Sequence, residues 1–168
     1  FQGHLSEGQR WLERAVESGR DAPPAAHAKA LIAAGRLAWL RGELAAATRW
    51  LEQALALGPE PFDRCEALNA LSDVARYQGD HEWAEAALAE AMDLGRAEED
   101  WWHVGASLHN LGIVALEQGD YERARAALEE GLAYARQEES WYLACSAHHC
   151  LSRVAFEQGD YARAAALR

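Results

Sequence analysis

The chain has 168 residues, half of them hydrophobic, which is enough to build a core-bearing domain. Its formal net charge of -11 at pH 7 excludes the basic footprint that sequence-independent binding to nucleic acid or an acidic membrane surface needs. Cys65, Cys145 and Cys150 form no disulfide framework, nothing at the start resembles a signal peptide, and no apolar run nears the roughly 18 residues of a bilayer span, so a reducing cytoplasm is the expected setting.

Alanine and leucine dominate the apolar fraction and no stretch alternates like a strand, so the expected class is all-α. In chain order the pattern reads as helix pairs around a recurring turn. A broken first unit, residues 1–20, opens in the last turn of a helix and carries Gln2-Gly3-His4-Leu5. Complete units follow at about 23–58, 60–97 and 100–137, with turns Arg41-Gly42-Glu43-Leu44, Gln78-Gly79-Asp80-His81 and Gln118-Gly119-Asp120-Tyr121. A second broken unit, 140–168, carries Gln158-Gly159-Asp160-Tyr161, and Arg168 falls about halfway along its second helix. The five glycines are spaced 39, 37, 40 and 40 residues apart.

Each turn phrase has a physical meaning. Glycine tolerates the left-handed conformation that ends a helix, and the acid after it suits the start of the next. Upstream, Leu108, Leu111, Gly112 and Ala115 recur at helical spacing, and downstream Tyr121, Ala124, Leu128 and Leu132 do the same. Small residues stand where paired helices must approach: Gly35, Ser72, Gly112 and Ser152 in first helices, Gly8, Ala47, Ala84 and Ala124 in second ones. Between units, Asp21 to Pro24, Gly58 to Phe62, Glu98 to Trp102 and Glu138 to Tyr142 hold the breakers, with Pro61, Asp100 and Ser140 as starts of first helices.

Asn110-Leu111-Gly112, then Gln118-Gly119-Asp120-Tyr121, Ala124 and Gly131-Leu132, resembles the tetratricopeptide repeat signature over nearly the whole chain. The resemblance implies a right-handed superhelical solenoid of antiparallel helix-turn-helix hairpins. Units of about 40 residues exceed the usual 34 or so, which resembles a long-repeat subclass of bacterial signalling proteins. Within it, Glu99-Asp100-Trp101 followed by Leu108 to Gly112 and Gln118 to Arg125 is similar to the sensor repeats of STAND, LuxR-type (MalT-like) ATPase regulators. Solenoid hairpins bury their apolar faces only against neighbours, so both ends are expected to cut through a hairpin of a longer chain and to favour end-to-end association.

Catalytic chemistry is not expected. There is no phosphate-binding GxxxxGK[ST] loop, and His81-Glu82-Trp83-Ala84-Glu85 has a glutamate where a zinc-binding HExxH needs its second histidine. Cys145, His148, His149 and Cys150 have metal-like spacing, but the register assigns His148 and Cys150 to packed columns, so a buried histidine and two packed cysteines are expected and no metal or cofactor. The pairs Trp101-Trp102 and Trp141-Tyr142, with Phe62 in the matching column, are expected to fill the wider joint, with a stacking platform as the alternative. Glu122, Arg123, Arg125, Glu129 and Glu130 read as a solvated outer face.

The resemblance implies an inner face lined by first helices where ligands bind. On that architecture the inward columns hold Lys29, Ile32, Arg36 and Trp39, then Asn69, Asp73, Arg76 and Tyr77, then His109, Ile113 and Leu116, and finally His149, Arg153 and Phe156. Asn69, His109 and His149 share one column, a polar ladder able to bond a ligand. The lysine–asparagine clamp with which some relatives hold a C-terminal carboxylate is not reproduced, since the only lysine is Lys29. The expected function is a non-catalytic binding scaffold, the region of a larger bacterial regulator that senses a peptide, a protein segment or a small inducer beside its other domains. The alternative is a passive assembly scaffold with no sensory role.

Overall fold

The computed structural model describes residues 22–167 without a break, together with 11, 12, 14 and 16–19. The Gln2-Gly3 turn, Gly8 and Arg168 lie outside the described residues. Eight helices follow: α1 (Pro24–Leu40), α2 (Leu44–Ala56), α3 (Pro61–Gln78), α4 (His81–Ala97), α5 (Trp101–Glu117), α6 (Tyr121–Gln137), α7 (Trp141–Glu157) and α8 (Tyr161–Ala166). No strand occurs among the described residues. No described helix is long and apolar enough to cross a membrane.

The recurring turn does what its residues allow. Gly42, Gly79, Gly119 and Gly159 have φ of 77 to 82°. Behind Gly79 and Gly119, Asp80 and Asp120 donate their N–H back to the Ala75 and Ala115 carbonyls, both at 2.9 Å, closing the finished helix. Their carboxylates then accept the N–H of Trp83 and Arg123, both at 3.1 Å, and so open the next one. The joints before α5 and α7 repeat the device. Asp100 donates to the Gly95 carbonyl at 2.8 Å and caps His103 N–H at 3.1 Å. The left-handed residue there is not glycine: Glu99 and Glu139 stand at φ 55° and 51°. Pro61 occupies the first turn of α3, while Asp100 and Ser140 cap α5 and α7.

Each helix packs on the next, and each odd-numbered helix also touches the next odd-numbered one: α1 on α3, α3 on α5, α5 on α7. Among the described residues no even-numbered helix backbone approaches the next in this way. The layer of first helices is therefore the tight, inner side of an all-α solenoid, and the second helices form the outer side. The core is a row of clusters. Leu31, Ile32, Leu51, Leu71 and Val74 form one, and Leu116, Leu128, Leu132, Leu151 and Val154 another, with smaller groups around Leu88 and Leu68 between them. Within hairpins the helices meet at glycine: a Cβ on Gly112 would lie 2.5 Å from Leu128 Cγ, and one on Gly35 2.5 Å from Leu51 Cγ.

Candidate functional site

The inner layer is stitched together by side chains that reach from one first helix to the next. Arg36 of α1 bonds Glu66 of α3, and Lys29 stands 3.8 Å from the buried Asp63. Asn69 of α3 donates to Ser107 Oγ of α5 at 3.0 Å and accepts from Asn110 at 3.3 Å. Arg76 spans Asp73 at 3.3 Å and Glu117 of α5 at 2.5 Å. His109 of α5 meets Ser146 Oγ of α7 through Nε2 at 2.9 Å. Burial pushes the Asp73 carboxyl up from its ordinary range, with Arg76 pulling against it, and lowers the His109 ring to about 4.

Above this seam lies an open pocket of about 210 Å³ to which four successive first helices contribute. Arg36 and Trp39 come from α1, Glu66, Asn69 and Asp73 from α3, Trp102, His103 and Asn110 from α5, and Tyr142 from α7. His103 is 1% exposed. Its Nδ1 lies 2.6 Å from Asp100 Oδ2 and donates to that carboxylate. Nε2 has no hydrogen-bond partner. The ring is set edge-on to both Phe62 and Trp102, with centroids 4.6 and 4.7 Å away.

Cys65 lies near the Asp100 carboxylate, but it donates to the Ala91 carbonyl at 3.4 Å, and burial pushes its thiol up to about 11. It stays protonated at neutral pH. Among the described residues no three His, Cys, Asp or Glu side chains gather to hold a metal. Cys150 is packed in the core, whereas Cys145 is exposed, contrary to the expectation of two packed cysteines. The reason is helical register. Cys145 shares an outward face with His149, and both line a second open pocket with half-buried His148, Ala166 and Leu167.

Family models described as tetratricopeptide repeat match residues 63–137 and, for a second model, residues 28–53 and 146–168. The chain belongs to the tetratricopeptide repeat family. The crystal structure of BtubC (BKLC) from P. vanneervenii is similar over 99% of this chain and 71% of that one, with a TM-score of 0.81 at 20% identity. A Podosopora anserina putative kinesin light chain with nearly identical TPR-like repeats is similar over 99% of this chain and 84% of its own, with a TM-score of 0.70 at 18% identity. A single-residue variant of that protein gives a TM-score of 0.72 at 18% identity over the same shares. No curated protein matches the chain in sequence. The fold class is thus the expected tetratricopeptide solenoid.

Its hairpins bring only some of the inward-column residues together. Arg36, Trp39, Asn69 and Asp73 line the pocket between α1, α3, α5 and α7. Arg76 sits behind them on Asp73 and Glu117. His109 is buried in the seam, and Ile113 packs on the core beside it. Lys29 lies out over Asp63, while His149, Arg153 and Phe156 are exposed on α7 away from this pocket. The ladder of Asn69, His109 and His149 is consequently not one continuous ligand-facing row.

Trp102, Tyr142, Glu66, Asn110 and His103 were not among the inward columns, yet they line the pocket. The expectation that the aromatic pairs fill the joint is corrected. Only Trp101 packs that way, stacked on Tyr134 at 5.7 Å, while Trp102 and Tyr142 turn to the inner face and Trp141 is exposed. Adjacent residues point about 100° apart on a helix, so each pair divides between two faces. On the outer face Arg125 pairs with Glu122 three residues before it, and two longer links are added to that local pair. Arg123 reaches back to Glu85 at 2.6 Å and Arg163 to Glu129 at 3.0 Å, linking one second helix to the next.

Proposed function

We propose that this chain is a binding scaffold that seats a peptide or protein segment along its inner face. The observation that carries this reading is the pocket between α1, α3, α5 and α7, where aromatic rings, carboxylates and amides from successive hairpins converge. At about 210 Å³ and open to one side it is small for an enclosed drug-sized molecule, which needs about 300 Å³ or more. It suits one side chain of a longer segment lying across the first helices. We read the chain further as the sensing region of a larger bacterial cytoplasmic regulator, passing occupancy to neighbouring domains through differential affinity for two states. The resemblance of Glu99-Asp100-Trp101 and Gln118 to Arg125 to STAND sensor repeats supports that finer reading.

Selection from a displayed random-peptide library tests the binding role. Peptides enriched on the wild-type chain should bind Trp102→Ala and Tyr142→Ala variants at least about ten-fold more weakly, since a desolvated aromatic anchor supplies roughly 1.4 kcal/mol or more. Equal binding to the variants would sink it.

A further inference from the structure

The groove combines an acceptor-rich lining with aromatic rings, and that combination has a definite chemical partner. Glu66 and Asp73 line it against one guanidinium, Arg36, and extending the tally to Arg76 and Glu117 behind still leaves an excess of one negative charge. The two amide side chains are engaged within the seam. Asn69 Nδ2 serves Ser107 Oγ and the Cys65 carbonyl, both at 3.0 Å, and Asn110 Nδ2 serves Asn69 Oδ1. His103 is almost wholly buried and lines the pocket, and its Nε2 has no hydrogen-bond partner.

The rings reinforce the same choice. Trp39, Trp102 and Tyr142 come from three different helices, and indole and phenol faces attract a cation through their quadrupoles. A carboxylate ligand would meet the opposite: a lining with an excess of one negative charge and electron-rich ring faces. A purely apolar side chain would leave the net negative charge of the lining without a counter-ion. The net charge of -11 on the chain adds a long-range field of the same sign.

We infer that the pocket between α1, α3, α5 and α7 recognises a basic side chain, the guanidinium or ammonium of an arginine or lysine in a partner peptide. The inference rests on the groove being a peptide-binding site and names what that site selects. A cationic group seated there lies against the Trp39, Trp102 and Tyr142 rings, with Glu66 and Asp73 as counter-charges.

The test sequences the peptides enriched by the wild-type chain from the same random library. The expected result is a shared arginine or lysine. Replacing it with citrulline or norleucine should weaken binding about ten-fold or more, as should Glu66→Gln on the protein. Tyr142→Ala should weaken basic peptides while leaving the circular dichroism melt unchanged, because that ring is exposed. Enriched peptides that depend on Trp102 and Tyr142 but share no basic residue would overturn the inference and leave the peptide-binding role standing. Peptides indifferent to both aromatic substitutions, or no enrichment at all, would overturn the two together.

Discussion

His109 occupies a position that a binding surface could use, yet the fold has spent it. Its ring is 8% exposed, Nε2 is engaged by Ser146, and burial holds it neutral down to about 4 against the usual 6.5. Unfolded chains take up the proton near 6.5 and the folded one only near 4, so between these values the unfolded state binds more protons. Stability therefore falls as pH drops through that window and stops responding to this residue below it. From about pH 7 to about pH 5 the loss should be about 2 kcal/mol, and urea titrations of His109→Gln should lack that component of the slope. Asp100 offers a second comparison. Asp120→Ala removes a helix cap alone and should cost about 1 kcal/mol, whereas Asp100→Ala also strips His103 Nδ1 of its partner and should cost about 2 to 3 kcal/mol. Thermal melts of the two variants give that difference. Neither His109's burial nor the pairing of His103 with Asp100 was legible beforehand, because each depends on what a neighbouring backbone brings close.

At the scale of elements, the hairpin turns were open to reading because their chemistry is local: a left-handed glycine, then an acid that caps. The close approach at Gly112 was legible as a small residue, and the structure says how small. Alanine ordinarily stabilises a helix by about 1 kcal/mol over glycine. Here the added Cβ meets Leu128, which is 0% exposed and has nowhere to move, with the Ala124 carbonyl 3.2 Å from it on the same side. Gly112→Ala should therefore destabilise, by about 1 to 3 kcal/mol in a denaturant melt. The joints between hairpins were less legible. Glu99 and Glu139 adopt the left-handed conformation without the signal that glycine gives. Glu99→Gly should raise stability by about 1 kcal/mol, since the Cβ strain at that φ is removed and the bond from its N–H to the Arg96 carbonyl is kept; a lowered melting temperature would contradict the strain argument.

For the whole molecule, a row of separate clusters predicts local answers to local damage. Leu51 and Leu128 lie in clusters that share no residue. Leu51→Ala and Leu128→Ala should each cost about 2 to 5 kcal/mol in their own region. Hydrogen exchange should show faster exchange in α1 to α3 for the first and in α5 to α7 for the second, with the other region keeping its protection. A uniform loss throughout would mean one cooperative core. The all-α class, the repeat period and the order of hairpins were determined by the sequence itself, because helical periodicity and turn chemistry act over a few residues. Only the tertiary structure decided which inner side chains are consumed by the neighbouring hairpin and which face the groove. Asn69 meets Ser107 38 residues on, Arg76 meets Glu117 41 on and His109 meets Ser146 37 on, whereas Trp102 and Tyr142 turn into the pocket. Those outcomes follow from the rotation of one hairpin against the next, and no pattern within a single repeat encodes that angle.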